Sequence, residues 1–237
     1  MATYEFETII RYSEIDSLGY LTPSALIDLF QTTSTYQSEE LGYGVEYLKE
    51  NHRAWVLSYW QICIDKLPRF KDKVYVQTWS SGIRSALGNR NFVILDADRN
   101  ILSYANSLWV YIDTENAHPM KPPAEMVEAY GCEPPLEMEV LSRKITLPCD
   151  MQTKDDFIVK HYFIDTNNHM NNAKYILTAM EYIPNGLQIK GIRAEYKKQA
   201  LLGEILTPHV KIDGNTITVV TYDSNGNHNA TIQFTCE

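Results

Sequence analysis

The sequence has no hydrophobic run approaching the roughly 18 apolar residues that a membrane-crossing helix needs. Its first residues, MATYEFETIIRYSEID, carry neither a basic leader nor an apolar signal core, so a cytoplasmic protein is expected. Cysteine is scarce: Cys63, Cys132, Cys149 and Cys236 are widely spaced without a CxxC pair, which argues against a zinc site and against a disulfide framework. Basic residues are outnumbered, 21 Lys and Arg against 30 Asp and Glu, and the formal charge of −9 argues against a nucleic-acid partner. An acidic partner would have to meet a local basic patch. No GxSxG elbow, phosphate-binding glycine loop or dinucleotide fingerprint occurs, so serine hydrolase, kinase and dehydrogenase readings lack their motifs.

What is present is a repeated order of elements along 237 residues, 44% of them hydrophobic, enough to bury a core. Residues 1–113 read as an edge strand (Tyr4 to Tyr12), a helix from about Pro23 to Gly42, and the strands VLSYWQICIDKL, KVYVQTWSSGI, NRNFVILDA and ILSYANSLWVYID. The helix shows apolar spacing at Ala25, Leu26, Leu29 and Phe30. Residues 114–154, with five prolines between Pro119 and Pro135, read as an ordered linker holding one short helical turn. Residues 155–237 then repeat the pattern: a strand (Phe157 to Phe163), a polar turn, a helix from about Asn172 to Tyr182, and four further strands. Aligning Asp16 with Asp165 sets an offset of 165 − 16 = 149, which lays IIRYSEID over IVKHYFID. Two copies of a helix with an antiparallel sheet predict an α+β tandem hotdog, each long helix wrapped by its sheet and the two sheets edge to edge.

The densest polar segment is DTNNHMNN, Asp165 to Asn172, with one Asp, four Asn and one His in eight residues. Short Asn and Asp side chains suit turns and helix starts, and Thr22 and Asn171 can each cap the helix that follows. Both copies keep the aspartate. Where the second has Asn167 and His169, the first has Leu18 and Tyr20, so the fold does not require the polar pair. Asp165, Asn167 and His169 run at i, i+2 and i+4, which in an extended segment sends all three to one side. An acid, an amide and a histidine so placed suit hydrolysis, beside free N–H groups at a helix start. The bland alternative is a polar turn with a surface histidine. His161, Asp165 and His169 at i, i+4 and i+8 would read as metal ligands only on a helix, and the stretch reads as strand and turn.

These residues resemble the acyl-acyl carrier protein thioesterases of plant plastids and their bacterial relatives. DTNNHMNNAKYI is similar to that family's D-x-N-x-H-x-N-N-x-K-Y-I segment, and IIRYSEID, RAWVLSYWQICIDKLPRFKDKVYVQTW, LGNRNFVILDADRNILSYANSLWV and HPMKPPAEM follow its first half in order. The resemblance implies a double hotdog fold and hydrolysis of the thioester that joins a fatty acyl chain to carrier-protein phosphopantetheine. It implies no metal and no cofactor beyond the substrate's own phosphopantetheine arm. The partners are then acyl carrier protein and a fatty acyl thioester, without nucleic acid or membrane, and a homodimer is allowed. Family roles fall on Asp165, Asn167 and His169.

After the second helix the family's E-Y-x-x-E-C reads Glu195-Tyr196-Lys197-Lys198-Gln199-Ala200 here. Ala200 excludes a cysteine acyl-enzyme at that position. Gln199 can hold a water but cannot take its proton. The base is therefore expected to be Asp165, with direct attack by Asp165 as an open second route. Glu195 is a weaker candidate: strand alternation would place it on the face of Gln199, about 13 Å away. Asn171, Asn172 and Glu195 are expected to contact substrate. Lys174, Arg193, Lys197 and Lys198 are expected to receive the acidic carrier protein, and the acyl chain is expected beside the first copy's helix. A coenzyme A thioesterase or a non-catalytic acyl-binding module would use much of the same fold.

Overall fold

A computed structural model describes residues 3–237, which divide into two compact units, 3–58 with 62–139 and 59–61 with 140–237. No described helix is long and apolar enough to cross a membrane.

In the first unit, strand β1 (Tyr4–Ile9) leads through a 3-10 turn at Tyr12–Glu14 to helix α1 (Pro23–Glu40). Helix α2 (Val45–Glu50) follows, then β2 (Arg53–Ile64), β3 (Lys73–Arg84), β4 (Leu87–Leu95) and β5 (Ile101–Asp113). A short β6 (His118–Pro119) and helix α3 (Ala124–Tyr130) complete the unit. The sheet order is β1-β3-β4-β5-β2. The chain starts α1 with two independent signals: Thr22 caps the Ala25 N–H with its side chain, and Pro23 at the first helical position has no N–H to satisfy. Ala25, Leu26, Leu29 and Phe30 are all buried as their spacing predicts, with Phe30 against Phe92 at 5.0 Å between rings. Burying one such side chain contributes about 1.5–3 kcal/mol.

The segment read as a linker is divided by the structure. Its first part, 114–139, belongs to the first unit. Met126 and Tyr130 of α3 are buried with Tyr111 in a satellite core covered by Leu41, Tyr43, Tyr47 and Trp55. Tyr130 Oη also meets Ser38 Oγ of α1 at 2.7 Å. Prolines mark where the chain turns, not where packing stops. Residues 140–154 belong to the second unit, where Ile145 is fully buried.

The second unit holds β7 (Gln152–Thr153), β8 (Phe157–Ile158), a 3-10 turn at His161–Phe163, helix α4 (Asn172–Met180), β9 (Ile189–Tyr196), β10 (Ile205–Asp213), β11 (Thr216–Asp223) and β12 (His228–Cys236). Its order is β9-β12-β11-β10-β7, with β8 on the edge of β10. Helix α4 has nine residues where α1 has 18, and buries Ala173, Tyr175, Ile176 and Ala179 on the sheet. Each unit is thus an antiparallel sheet laid on a helix, the hotdog arrangement, present twice. The strand expected from Phe157 to Phe163 stops at Ile158: Val159 is fully buried and donates to the Glu204 carbonyl, after which the chain leaves the sheet.

Candidate active site

The polar turn is built on a backbone frame that the first unit repeats bond for bond. Asp165 N–H donates to His169 O at 2.9 Å, as Asp16 N–H does to Tyr20 O at 2.8 Å. Asn168 N–H donates to Asp165 O, as Gly19 N–H does to Asp16 O, both at 3.1 Å. Ile164 bridges Met170, and Ile15 bridges Leu21. Gly19 has φ +83° and Asn168 φ +63°, so an asparagine takes the left-handed conformation that glycine supplies in the first copy. Beyond the helices the equivalence continues with an offset of 201 − 69 = 132: Arg69 N–H donates to the Asp72 carboxylate and Leu201 N–H to the Glu204 carboxylate. Gln199 then stands where the first copy has Leu67, and Glu195 where it has Cys63.

The left-handed Asn168 corrects the expectation of an extended segment. Asp165 and His169 meet because the turn closes between them, not because their side chains alternate along a strand. Asp165 Oδ1 accepts the Asn167 N–H at 2.8 Å, as Asp16 Oδ1 accepts those of Leu18 and Tyr20. The aspartate braces the turn in both copies. The Asn167 side chain is exposed, and His169 is partly buried with Nδ1 enclosed and without a hydrogen-bond partner. A buried imidazole nitrogen left unpaired costs free energy, so this nitrogen is poised to accept or donate once a ligand arrives.

Asn171 and Asn172 form the start of α4. Asn171 Oδ1 accepts the Ala173 N–H at 2.8 Å and its carbonyl accepts the Lys174 N–H at 2.9 Å. Among the described residues the Asn172 N–H has no acceptor. In the first copy this position is Pro23, which has no N–H at all. A single free donor at a helix start, aligned with the helix dipole, suits a negative oxygen.

Gln199 is brought beside the turn through its neighbour: the Ala200 carbonyl accepts the Met170 N–H at 2.8 Å, and its own side chain is exposed. Glu195 is not brought there. Strand β9 ends at Tyr196, so alternation does not carry from Glu195 to Gln199. Tyr196 turns toward α4, donating to the Asn172 carbonyl at 2.9 Å, and Glu195 lies on the opposite face. There its carboxylate accepts the Ile145 N–H at 3.2 Å and faces Lys197 Nζ at 3.5 Å. The sheet separates it from the turn.

The basic residues expected around the motif are mostly engaged. Arg193 donates to Gln233 at 2.8 Å and to the Ser142 carbonyl, and Lys198 pairs with Asp223, whose carboxyl that ammonium holds well below the usual range. Lys197 pairs with Glu195. Of the four, only Lys174 has neither an ion pair nor a side-chain hydrogen bond among the described residues. His161 lies in a 3-10 turn, and no group of three His, Cys, Asp or Glu among the described residues is placed to hold a metal ion.

The acyl-ACP thioesterase N-terminal domain family matches residues 2–130 and the corresponding C-terminal domain family matches residues 148–235. The chain belongs to the acyl-ACP thioesterase family. A palmitoyl-acyl carrier protein thioesterase of Arabidopsis thaliana is 25% identical over 220 residues, covering 88% of this chain and 50% of that protein. The chain thus spans about half the length of the curated relatives it matches. Its fold is that of an acyl-ACP thioesterase from Bacteroides thetaiotaomicron, with TM-score 0.90 at 23% identity over 100% of this chain and 98% of that one. The 12:0-ACP thioesterase of Umbellularia californica superposes with TM-score 0.86 at 18% identity, again over 100% and 98%.

In this member of the acyl-ACP thioesterase family, two tyrosines that sequence reasoning passed over hold the site together. Tyr175 Oη accepts the Ala200 N–H at 3.0 Å, and the Tyr196 hydroxyl grips the carbonyl of Asn172. Their rings meet edge to face at 5.8 Å. Burial raises the pKa of both phenols, so each stays neutral and keeps its bond. The signal for Tyr175 was available: a tyrosine on the buried face of a helix needs a partner for its hydroxyl.

Proposed function

We propose that this chain hydrolyses the thioester between a fatty acyl group and the phosphopantetheine of acyl carrier protein, releasing free fatty acid and holo-carrier protein and so ending chain elongation. The observation that carries this reading is the difference between two turns with one backbone. Only the second has Asn167, His169 and a free N–H at Asn172, and its neighbouring loop carries Gln199 in place of Leu67. The shared aspartate alone would serve structure. The added polar groups serve chemistry.

In this reading the thioester carbonyl oxygen takes the Asn172 N–H and the Asn167 amide, donors that gain strength as negative charge develops on that oxygen. Gln199 holds a water, His169 orients it, and Asp165 draws off its proton as the oxygen attacks the carbonyl carbon. Collapse of the tetrahedral intermediate breaks the C–S bond, and the sulfur takes that proton from Asp165 and leaves as the free thiol. Water is the nucleophile and no cofactor is called for. Asn171 shapes the helix start, and Glu195, tied to Ile145, has no part in the chemistry.

Purified protein incubated with acyl-carrier and acyl-coenzyme A thioesters of several lengths, with release of free thiol followed, tests the reading. Faster turnover of the carrier-bound series is expected. Turnover of coenzyme A thioesters alone would move the substrate to that class, and no thiol release from either would leave an acyl-binding module.

A further inference from the structure

We propose that the first unit's copy of the turn is a docking surface for an acidic helix carrying a few apolar side chains, as presented by the carrier protein. The patch lies on the copy that lacks the polar set, with Leu18 standing where the second copy has Asn167. Leu18 is 74% exposed, Tyr12 80% and Phe70 41%. They are contiguous: the rings of Tyr12 and Phe70 lie 6.1 Å apart, and the Phe70 N–H donates to the carbonyl of Gly19, next to Leu18. Exposed large side chains grouped in this way mark interaction surfaces more often than chance.

Charge selects the partner. Arg69 lies over the Tyr20 ring at 4.5 Å and Lys71 near the Phe70 ring at 5.4 Å. Among the described residues neither forms an ion pair. The nearby carboxylates are bonded elsewhere and none pairs with Arg69 or Lys71: Asp16 accepts the backbone N–H groups of Leu18 and Tyr20, Asp72 that of Arg69, Glu14 binds Arg11, and Glu7 binds Lys73. Two free cations are thus fixed on aromatic rings amid apolar side chains, on a chain whose formal charge is −9. The second unit lacks this device, with Leu201 and Gly203 where Arg69 and Lys71 stand, while its own cations Arg193, Lys197 and Lys198 are engaged. An amphipathic acidic helix matches the patch, its apolar side chains meeting Leu18 and Phe70 and its carboxylates meeting Arg69 and Lys71.

This inference rests on the reading of the chain as a hydrolase of carrier-bound thioesters, and its test keeps the two apart. Kinetics of the full chain, of Arg69→Glu/Lys71→Glu and of Leu18→Asp are measured on an acyl-carrier substrate and on the same acyl group linked to pantetheine. All three side chains are exposed, and melting curves check folding. The variants should raise KM for the carrier-bound substrate about tenfold or more, weaken its salt dependence, and leave pantetheine-thioester hydrolysis within about twofold. An unchanged KM for the carrier-bound substrate overturns the proposal. So does loss of a wild-type dimer in the variants, which would make the patch a self-interface, or loss of binding to anionic vesicles with carrier kinetics intact. If the wild-type chain hydrolyses neither substrate, the functional reading fails instead; direct binding of holo-carrier protein to wild type and variants, followed by fluorescence anisotropy, then still decides the docking surface.

Discussion

Tyr175 and Ala200 are joined by one hydrogen bond, the Ala200 N–H donating to Tyr175 Oη at 3.0 Å, and both are buried. Through it helix α4 fixes the loop that carries Gln199. Tyr175→Phe strands the Ala200 N–H without a partner, which costs about 1–3 kcal/mol for a buried donor. Turnover should fall with stability, because Gln199 loses its anchor one residue away. A melting temperature and a turnover both equal to wild type would show that the bond supports neither.

Asn167→Ala and His169→Ala should each lower turnover by about two orders of magnitude with the melting temperature retained. The first unit folds with Leu18 and Tyr20 at these positions, so the turn itself does not need the polar pair. Near-wild-type rates in either variant would remove that residue from the chemistry.

The two aspartates separate bracing from catalysis. Asp16→Asn and Asp165→Asn both keep an oxygen that can accept a backbone N–H, so both should retain most stability, within about 1 kcal/mol. Asp165→Asn loses the negative charge that draws off the proton and should abolish most turnover. Asp16→Asn should leave it largely intact. Steady-state rates and melting curves on the pair check this, and equal loss of activity in both would mean that Asp16 also serves the reaction.

Buried phenols set the alkaline limit. Burial, joined by the neighbouring Tyr47, pushes the Tyr111 phenol up to about 12, and burial raises Tyr130, Tyr175 and Tyr196 as well. Below pH 10 both folded and unfolded chains keep these protons, and stability does not depend on them. From about 10, the ordinary tyrosine value, the unfolded chain loses protons that the folded chain retains, so stability falls as pH rises. The melting temperature should drop between about pH 10 and 12, and Tyr111→Phe should make the drop smaller. An identical drop in the variant would mean that Tyr111 titrates freely in the fold.

The parts legible in sequence were those written in local chemistry. Thr22 and Pro23 announce the start of α1, and the 149-residue offset aligns turns whose backbone hydrogen bonds agree. What was not legible depended on choices that side-chain type leaves open. Asn168 can sit in a strand or in a left-handed turn, and only its φ of +63° shows which. Whether Glu195 shares a face with Gln199 depends on β9 ending at Tyr196, and nothing in the local residue types marks that end. Lys198 looked free because its partner Asp223 is 25 residues away. The proline-rich stretch looked like a linker because the burial of Met126 and Tyr130 depends on α1, α2 and β5, far earlier in the chain.

Asn172→Pro isolates one backbone donor. The substitution installs the first copy's residue at the first position of α4, where proline is favoured because its fixed φ suits the helix and its missing N–H is unpaired anyway. The preceding residue must be extended, and Asn171 has φ −57° and ψ 139°, close to the −73° and 149° of Thr22 before Pro23. The Asn172 carbonyl that receives the Tyr196 hydroxyl is untouched. The fold should therefore accept the change with an unaltered or slightly higher melting temperature, since proline restricts the unfolded chain. Losing an oxyanion donor costs about two to three orders of magnitude in kcat. The loss should appear in kcat with KM little changed, because the donor acts on charge that exists only in the transition state. Turnover within a few-fold of wild type in a stably folded Asn172→Pro variant would show that the carbonyl oxygen is held elsewhere, and the helix start would have to be dropped from the mechanism.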